Sequence, residues 1–498
     1  MNHLVDQYFD SLIDKKIAVL GIGVSNRPLI RMLLAHGLHV LACDKTPREK
    51  LDAEVLELER AGTVLHVGEH YLDDVQADIV FRTPGMHPDI PALRRLREKG
   101  AELTSEMEAF FEVCPCRIIA VTGSDGKTTT TTLIAKILEH AGHRVWVGGN
   151  IGAPLLPQAA DMTPADIAVV ELSSFQLMTM ERSADIAVVT NVAPNHLDVH
   201  KDMAEYVQAK KNVFEYQNET GKVVLNYDND ITRGFAADAK GTVEFFSRLA
   251  RPENGVYLED GVICRNGKKI MAAADIRIPG VHNIENYMAA ACAVEGLAED
   301  EDIDAVARTF AGVEHRIEFV RELDGVKYYN DSIASSPSRT IAGLHSFRQK
   351  LVLIAGGISA GMMLASTGAA RWLAWGMLSG VGELHPVLRV LAVIGMVELL
   401  KIFFSSNSVT GAVVMPLIIA LAMDIGMNPW ILAGPAGIAT SMAFIMVTSS
   451  PTNVIPYSSG YFRISEFAKS GVVMTIIGIL AVTASVAIFG RFANMNIW

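Results

Sequence analysis

The solvent for which this chain is written changes abruptly near Gly357. From Ile358 to Trp498 the sequence carries only six of the 43 Lys and Arg residues and four of the 55 Asp and Glu residues. A segment so poor in charge folds against lipid, whereas the residues before the seam have the charge density of a chain that folds in water. Length alone, 498 residues, would allow several soluble domains. The seam points instead to an α/β portion followed by an all-α membrane segment, a chimeric layout.

Before the seam, acidic residues outnumber basic ones, which argues against a nucleic-acid footprint, since that would need clustered Lys and Arg. The five cysteines, at 43, 114, 116, 264 and 292, also precede the seam, and their odd number fits a reducing compartment better than a disulfide scaffold. Cys114 and Cys116 flank a proline too tightly for a zinc knuckle. The first residues carry acids where a signal peptide would carry positive charge. The N-terminal part is therefore expected in the cytoplasm and the C-terminal part in the inner or plasma membrane.

Lys16–Gly23 reads as a buried strand running into Gly21-Ile-Gly23 and a helix, followed by a second strand ending at Asp44. This is a nucleotide-binding opening, although Asn26 stands where a dinucleotide fingerprint has its third glycine. Strand and turn signals continue to about residue 113. A second α/β unit begins with the strand at 117–123, and further apolar strands follow at 166–172, 185–191 and 222–226, the alternation of a parallel, doubly wound sheet. A third unit starts near 314, with strand signals at 319–331 and 350–357. Apolar runs at 360–379, 387–404, 409–426, 430–448 and 471–490 then approach the length that crosses about 30 Å of hydrocarbon. Two breaks between them are polar, Ser405–Ser408 and Thr448–Asn453. Backbone of this kind is not tolerated against lipid and should face protein or water.

The strongest local signal is Thr122-Gly-Ser-Asp-Gly-Lys-Thr128, set between a strand and a helix. Backbone N–H groups from Gly123, Ser124, Asp125, Gly126 and Thr129 can wrap a triphosphate, Lys127 can offset its charge, and Thr128 can bind magnesium. A plain strand-to-helix turn would not need Gly-Lys-Thr. The loop departs from the general phosphate-loop pattern, because Val121 occupies the position of the first glycine.

That variant resembles the loop of the Mur ligases, and other motifs follow in the family's order: Gly148-Gly-Asn150-Ile-Gly152, Glu171-Leu-Ser-Ser-Phe-Gln176, Asn191-Val-Ala-Pro-Asn-His196-Leu-Asp198, Tyr206-Val-Gln-Ala-Lys210, His282-Asn283-Ile-Glu-Asn286, His315-Arg316 and Asn330-Asp331-Ser332. The resemblance is to the branch that joins D-glutamate to UDP-N-acetylmuramoyl-L-alanine with ATP. It implies a Rossmann-like substrate domain at 1–113, an ATP-binding central domain at 114–313 and the start of a third domain at 314–357. It further implies two magnesium ions, one held by Thr128 and Glu171, the other by His196 and a carbamylated Lys210. Lys127, Glu171, His196 and Lys210 would be catalytic. Asn283, Asn286, Arg316 and Asp331 would contact ATP, while Asn150, Ser173 and His196 would line the muramoyl side. Ser25, Asn26, Asp44, Lys45, Thr83 and Gly85 would receive the uridine diphosphate. Ile333 stands where the family often has lysine.

After Gly357 the family would continue for about a hundred residues of a third domain that closes on ATP. Here residues 358–498 are similar instead to the second half of the divalent-anion/sodium symporters. Ser406, Asn407 and Ser408, with Pro451, Thr452 and Asn453, match one half of a sodium and dicarboxylate site that such transporters build between inverted repeats. A polar contact between packed helices is the plainer reading of the same residues. Leu353–Gly357 suits the end of a ligase strand and the start of a transporter helix equally, so the junction reads as a splice. A ligase of reduced activity is expected, with a sodium-coupled anion transporter fragment as the alternative.

Overall fold

Ile17–Leu20, Ile79–Arg82, Ile167–Glu171 and Ile186–Val189 are each buried at every position, which is how central strands of a parallel sheet covered on both faces behave. They lie in a computed structural model that describes residues 3–194, 199–323 and 325–332, the stretches 384–400, 426–440 and 464–489, and scattered positions between. The chain divides into two units, Met1–Val313 and Glu314–Trp498.

In the first unit, β1 (Ile17–Leu20), β2 (Val40–Asp44), β3 (Val64–Val67), β4 (Ile79–Arg82) and β5 (Glu102–Thr104) form a parallel sheet in the order β3-β2-β1-β4-β5. This is the order of a Rossmann-like half, with its crevice at the carboxyl ends of β1 and β4. Helices α1 (His3–Asp10), α2 (Asn26–Ala35), α3 (Ala53–Arg60), α4 (Pro91–Glu98) and α5 (Glu106–Val113) accompany it. One face packs Ala18, Leu20 and Val80 on Leu93 and Leu96 of α4.

The second sheet has nine strands: β6 (Arg117–Thr122), β7 (Val145–Gly149), β8 (Ile167–Glu171), β9 (Ile186–Val189), β10 (Lys222–Asn226), β11 (Thr242–Ser247), β12 (Gly255–Glu259), β13 (Val262–Arg265) and β14 (Lys268–Ala272). Its order is β14-β13-β12-β11-β10-β9-β6-β8-β7, parallel from β7 to β12 and then closed by antiparallel β13 and β14. Its helices are α6 (Lys127–His140), α7 (Ser174–Leu177), α8 (Met203–Glu215), α9 (Asp230–Gly234), α10 (Val281–Ala293) and α11 (Asp300–Thr309). Ile119 and Val121 of β6 meet Leu133 and Leu138 of α6 and Met288 of α10 on one face. On the other face Ala120 and Val170 join a core that continues through Leu156 and Phe110 to Val19 and Phe81, so the two sheets share one apolar interior.

In the second unit, β15 (Glu318–Leu323) and β16 (Val326–Asn330) form an antiparallel hairpin around Gly325, which takes φ +78°. The strand expected at 350–357 lies almost entirely outside the described residues. So do the apolar run at 360–379 and most of the run at 409–426. Helices α12 (Pro386–Leu400), α13 (Pro429–Ala439) and α14 (Ile464–Phe489) fall on the remaining runs. Among the described residues one helix is long and apolar enough to cross a membrane, at Lys469–Ile488. Val393 and Val397 of α12, Leu432 and Ala436 of α13 and Val486 of α14 pack together.

Candidate active site

The carboxyl end of β6 delivers the chain into Gly123, whose φ of +148° and neighbours exclude any side chain: a Cβ there would lie 1.9 Å from Thr190 Oγ1. Gly126 caps α6 in the left-handed region at φ +82°, and its Cβ would meet Asn286 Oδ1 at 2.5 Å. Between them Ser124 is pinned: its Oγ donates to Ala193 O at 2.9 Å and lies 2.9 Å from Tyr206 Oη, while Asp125 N donates to Asn191 Oδ1 at 3.0 Å. The result is a rigid bare-backbone cradle opening at the N-terminus of the 14-residue helix α6, which is the geometry that accepts phosphate.

Two lysines converge on it. Lys127 Nζ donates to Gly123 O at 3.0 Å and Ser124 O at 3.1 Å. Lys210, 1% exposed on α8, donates to the same Gly123 O at 2.8 Å, with its Nζ 4.6 Å from the Tyr206 ring centroid. Burial holds the Lys210 amine well below the usual lysine range, and the Lys127 charge adds to the effect. Thr128 is buried at the first turn, and Thr129 is half-buried beside it.

Glu171 ends β8 at 2% exposure. Its Oε1 accepts from Asn150 Nδ2 at 2.8 Å, and its backbone carbonyl accepts from Asn150 N at 2.8 Å. Its Oε2 is buried and has no hydrogen-bond partner among the described residues. A carboxylate oxygen left open beside a phosphate cradle fits a hard cation, which takes oxygen ligands of this kind. Among the described residues no group of three or more His, Cys, Asp or Glu side chains is placed to hold a metal by itself, so Glu171 would share an ion with Thr128 and phosphate oxygens. Ser173 caps the short helix α7 through a capping box with Gln176. His196 lies outside the described residues.

Asn283 and Asn286 sit buried on α10, where Asn286 Nδ2 donates to Asn283 Oδ1 at 3.1 Å and Thr130 Oγ1 donates to Asn286 Oδ1 at 3.2 Å. The α10 helix thereby faces the first turn of α6. Arg316 and Asp331 belong to the second unit, where Asp331 Oδ1 accepts from Ile317 N at 3.2 Å. Burial pushes the Asp331 carboxyl up, against the pull of that N–H and of Arg316.

At the first sheet's crevice, Asp44 accepts from Ile22 N at 2.8 Å and from Thr46 N at 2.9 Å. Burial opposes its charge, yet those N–H groups hold its carboxyl below the usual range. Lys45 and Gly85 are exposed, while Ser25 and Thr83 are half-buried. Thr83 approaches Gly21 so closely that a Cβ on the glycine would lie 2.8 Å from Thr83 Cγ2. Asn26 is 3% exposed and donates to Gly21 O at 2.8 Å, so its amide nitrogen shapes the loop. Ser406, Asn407, Ser408, Pro451, Thr452 and Asn453 lie outside the described residues.

Sequence reasoning missed a second layer. Arg82, 1% exposed at the end of β4, donates to Pro84 O at 3.0 Å and, across to the other sheet, to Phe175 O at 3.0 Å and Thr179 Oγ1 at 3.2 Å. His200 is buried against Ser174 Oγ at 2.9 Å and stacks on Phe175 at 5.3 Å, while His87 Nε2 and Glu205 Oε1 meet at 3.1 Å. Burial lowers the His200 pKa in spite of Glu205. The available signal was a basic residue closing an otherwise apolar strand at Arg82.

Residues 121–294 match the Mur ligase middle domain, and residues 348–495 match the sodium:sulfate symporter transmembrane region. Over 362 residues the chain is 54% identical to the UDP-N-acetylmuramoylalanine--D-glutamate ligase of Acetivibrio thermocellus, covering 72% of this chain and 78% of that one. The chain belongs to the Mur ligases. The ligase of the same description from Clostridium novyi is 52% identical over 358 residues, again covering 72% of this chain and 78% of the relative. That from Ruminiclostridium cellulolyticum is 50% identical over 373 residues, covering 74% and 80%. The Mur ligase match falls within the first unit, and its first residue, Val121, is the one that departs from the general phosphate-loop pattern.

Proposed function

We propose that this chain is an ATP-dependent ligase of peptidoglycan synthesis that joins D-glutamate to the L-alanine carboxylate of UDP-N-acetylmuramoyl-L-alanine. The observation that carries the chemistry is the cradle at Gly123–Thr128 flanked by two buried side chains, Glu171 with an open Oε2 and Lys210 with a desolvated amine. The relatives' descriptions supply the substrates.

In this reading the first sheet's crevice, with Ser25, Asp44, Lys45, Thr83 and Gly85, receives the uridine diphosphate group, and Asn26 keeps the loop in shape. Asn150, Ser173 and His196 border the muramoyl side. The phosphoryl group of ATP passes to the carboxylate to give an acyl phosphate, and the D-glutamate amine then attacks the acyl carbon, releasing phosphate and a proton. Lys127 leaves the carbonyls of Gly123 and Ser124 to meet the triphosphate, while the cradle's N–H groups hold it in place. Asn283, Asn286, Arg316 and Asp331 serve the nucleotide. Thr128, Glu171, His196 and a Lys210 carbamate would hold magnesium, which would supply positive charge where a carboxylate is brought to a triphosphate.

The ligase pattern gives way near residue 357, so turnover should be low. Full-length chain in detergent, supplied with UDP-N-acetylmuramoyl-L-alanine, ATP and D-glutamate, should bind the UDP substrate and release phosphate slowly. Failure to bind the UDP substrate would overturn the ligase reading, and release at an ordinary enzyme rate would overturn the impairment. The symporter match at 348–495 carries a second reading, in which this part lies in a bilayer and Ser406, Asn407, Ser408, Pro451, Thr452 and Asn453 form half a sodium and anion site. Sodium-dependent succinate uptake by vesicles containing the chain would favour it.

A further inference from the structure

The short linker between the two sheets of the first unit holds the chain's closest pair of thiols. Helix α5 ends at Val113, β6 begins at Arg117, and Cys114-Pro115-Cys116 is all that lies between. Cys114 Sγ and Cys116 Sγ stand 3.5 Å apart, already at van der Waals contact. The remaining cysteines, Cys43, Cys264 and Cys292, are buried as single thiols. Cys116 is 7% exposed, whereas Cys114 is half-buried and reachable from solvent.

We propose that Cys114 and Cys116 form a reversible dithiol–disulfide site in the inter-sheet linker, oxidised by small disulfides such as glutathione disulfide. The geometry admits the bond. Two residues of extended chain span at most about 7 Å, and the torsions of Pro115 set how far inside that limit the two Cα atoms lie. A disulfide accepts Cα separations of about 4.4–6.8 Å. Cys114 is extended at φ −66°, ψ 119°, and Pro115 fixes its own φ, so the ring closes from a chain that is already restrained. The sulfurs must approach from contact to about 2 Å, a movement that side-chain torsions supply.

The chemistry is a pair of exchanges. The Cys114 thiolate attacks glutathione disulfide, the S–S bond breaks, and one glutathione leaves as the mixed disulfide forms. The Cys116 sulfur then attacks Cys114 Sγ, releasing the second glutathione. Each protein thiol gives up one proton and each departing glutathione takes one, so two thiols are oxidised and one small disulfide is reduced. In the reduced pair, hydrogen bonding between the two sulfurs holds the Cys116 thiol below its usual range and, with burial, holds the Cys114 thiol above it, so the first exchange is the slow one and quickens as pH rises. A small ring closed over one residue is strained and therefore readily reduced, which suits a reversible site.

The linker enters β6, which leads directly into the phosphate cradle, and Ile118 N, two residues beyond Cys116, donates to Asp185 Oδ2 at 2.7 Å. Closing the bond would therefore stiffen the connection between the substrate sheet and the ATP sheet. The test is on the full chain, equilibrated with mixtures of reduced and oxidised glutathione, quenched with an alkylating reagent and mapped by peptide mass spectrometry. The expected result is an intrachain link between residues 114 and 116, lighter by two hydrogens and reversed by dithiothreitol, while Cys43, Cys264 and Cys292 stay reduced. A Cys114 that stops at the glutathione adduct, or a pair that remains alkylatable throughout, overturns the proposal. On unmodified wild-type chain, phenylarsine oxide should protect both thiols from alkylation together. Protection of neither would count equally against it, with no variant that has to fold.

Discussion

Glu106 places a carboxyl where charge is unwelcome. It is 5% exposed under the shared core, its Oε1 accepts from Leu156 N at 3.0 Å, and burial pushes its pKa up to about 7 in spite of that bond. Below the unfolded carboxyl's ordinary value both states are protonated and the side chain is harmless. Between that value and about 7 the folded state holds a proton that the unfolded state has released, so stability falls as pH rises and then levels. Glu106→Gln keeps the acceptor and removes the titration. Urea unfolding should show it more stable than wild type at pH 8 by on the order of 1–3 kcal/mol, with the difference gone near pH 4. Lys210 is the converse case, a cation in a site that favours the free amine. A neutral, nucleophilic amine adds carbon dioxide and loses a proton to become a carbamate. In 13C-bicarbonate the chain should show one carbamate resonance, and Lys210→Arg should lack it.

At the scale of elements, Arg82 is the joint between two sheets. A buried guanidinium that gives its donors to Pro84, Phe175 and Thr179 fixes the Thr83–Met86 loop of the first sheet to the start of α7 in the second. Arg82→Met fills the space but strands those carbonyls, at about 2–4 kcal/mol. The midpoint of urea unfolding should fall, and affinity for the UDP substrate should weaken with it; Arg82→Lys should restore little, since one ammonium cannot reach both sides. A basic residue closing an apolar strand is the one local mark of Arg82; the joint itself was illegible in the sequence, because its partners in the second sheet, Phe175 and Thr179, lie more than ninety residues on. What was legible shared a local cause. The Gly-Lys-Thr turn, the apolar strands β6, β8, β9 and β10, and the nucleotide opening at β1 each announce themselves within a few residues. The antiparallel extension β12-β13-β14 carries mixed charge, Glu259, Arg265, Lys268 and Lys269, and lacks the apolar run that marked the central strands. The hairpin β15-β16 was read as strand signal, but its pairing depends on the turn at Gly325.

For the whole molecule, the change of solvent at the seam acquires a physical demand at α14. This helix runs 26 residues, Ile464–Phe489, or about 39 Å at 1.5 Å per residue. That exceeds the roughly 30 Å of a hydrocarbon core. Val472, Val473, Met474, Ile476, Ile477 and Leu480 are all exposed along it, on the side away from Thr475, Thr483 and Val486, which are buried. A water-facing helix would bury its apolar stripe and turn polar residues outward; an outward face this apolar is stable in lipid and a liability in water. The first unit has the opposite demand, with a closed core and a charged exterior. When the full chain is expressed, it should therefore sediment with membranes and stay in the pellet through an alkaline carbonate wash that strips peripheral proteins. Detergent should then release it with the first unit still folded. Recovery of intact chain in the carbonate supernatant would mean that α14 finds cover within the protein, and the bilayer assignment for residues 358–498 would fall with it.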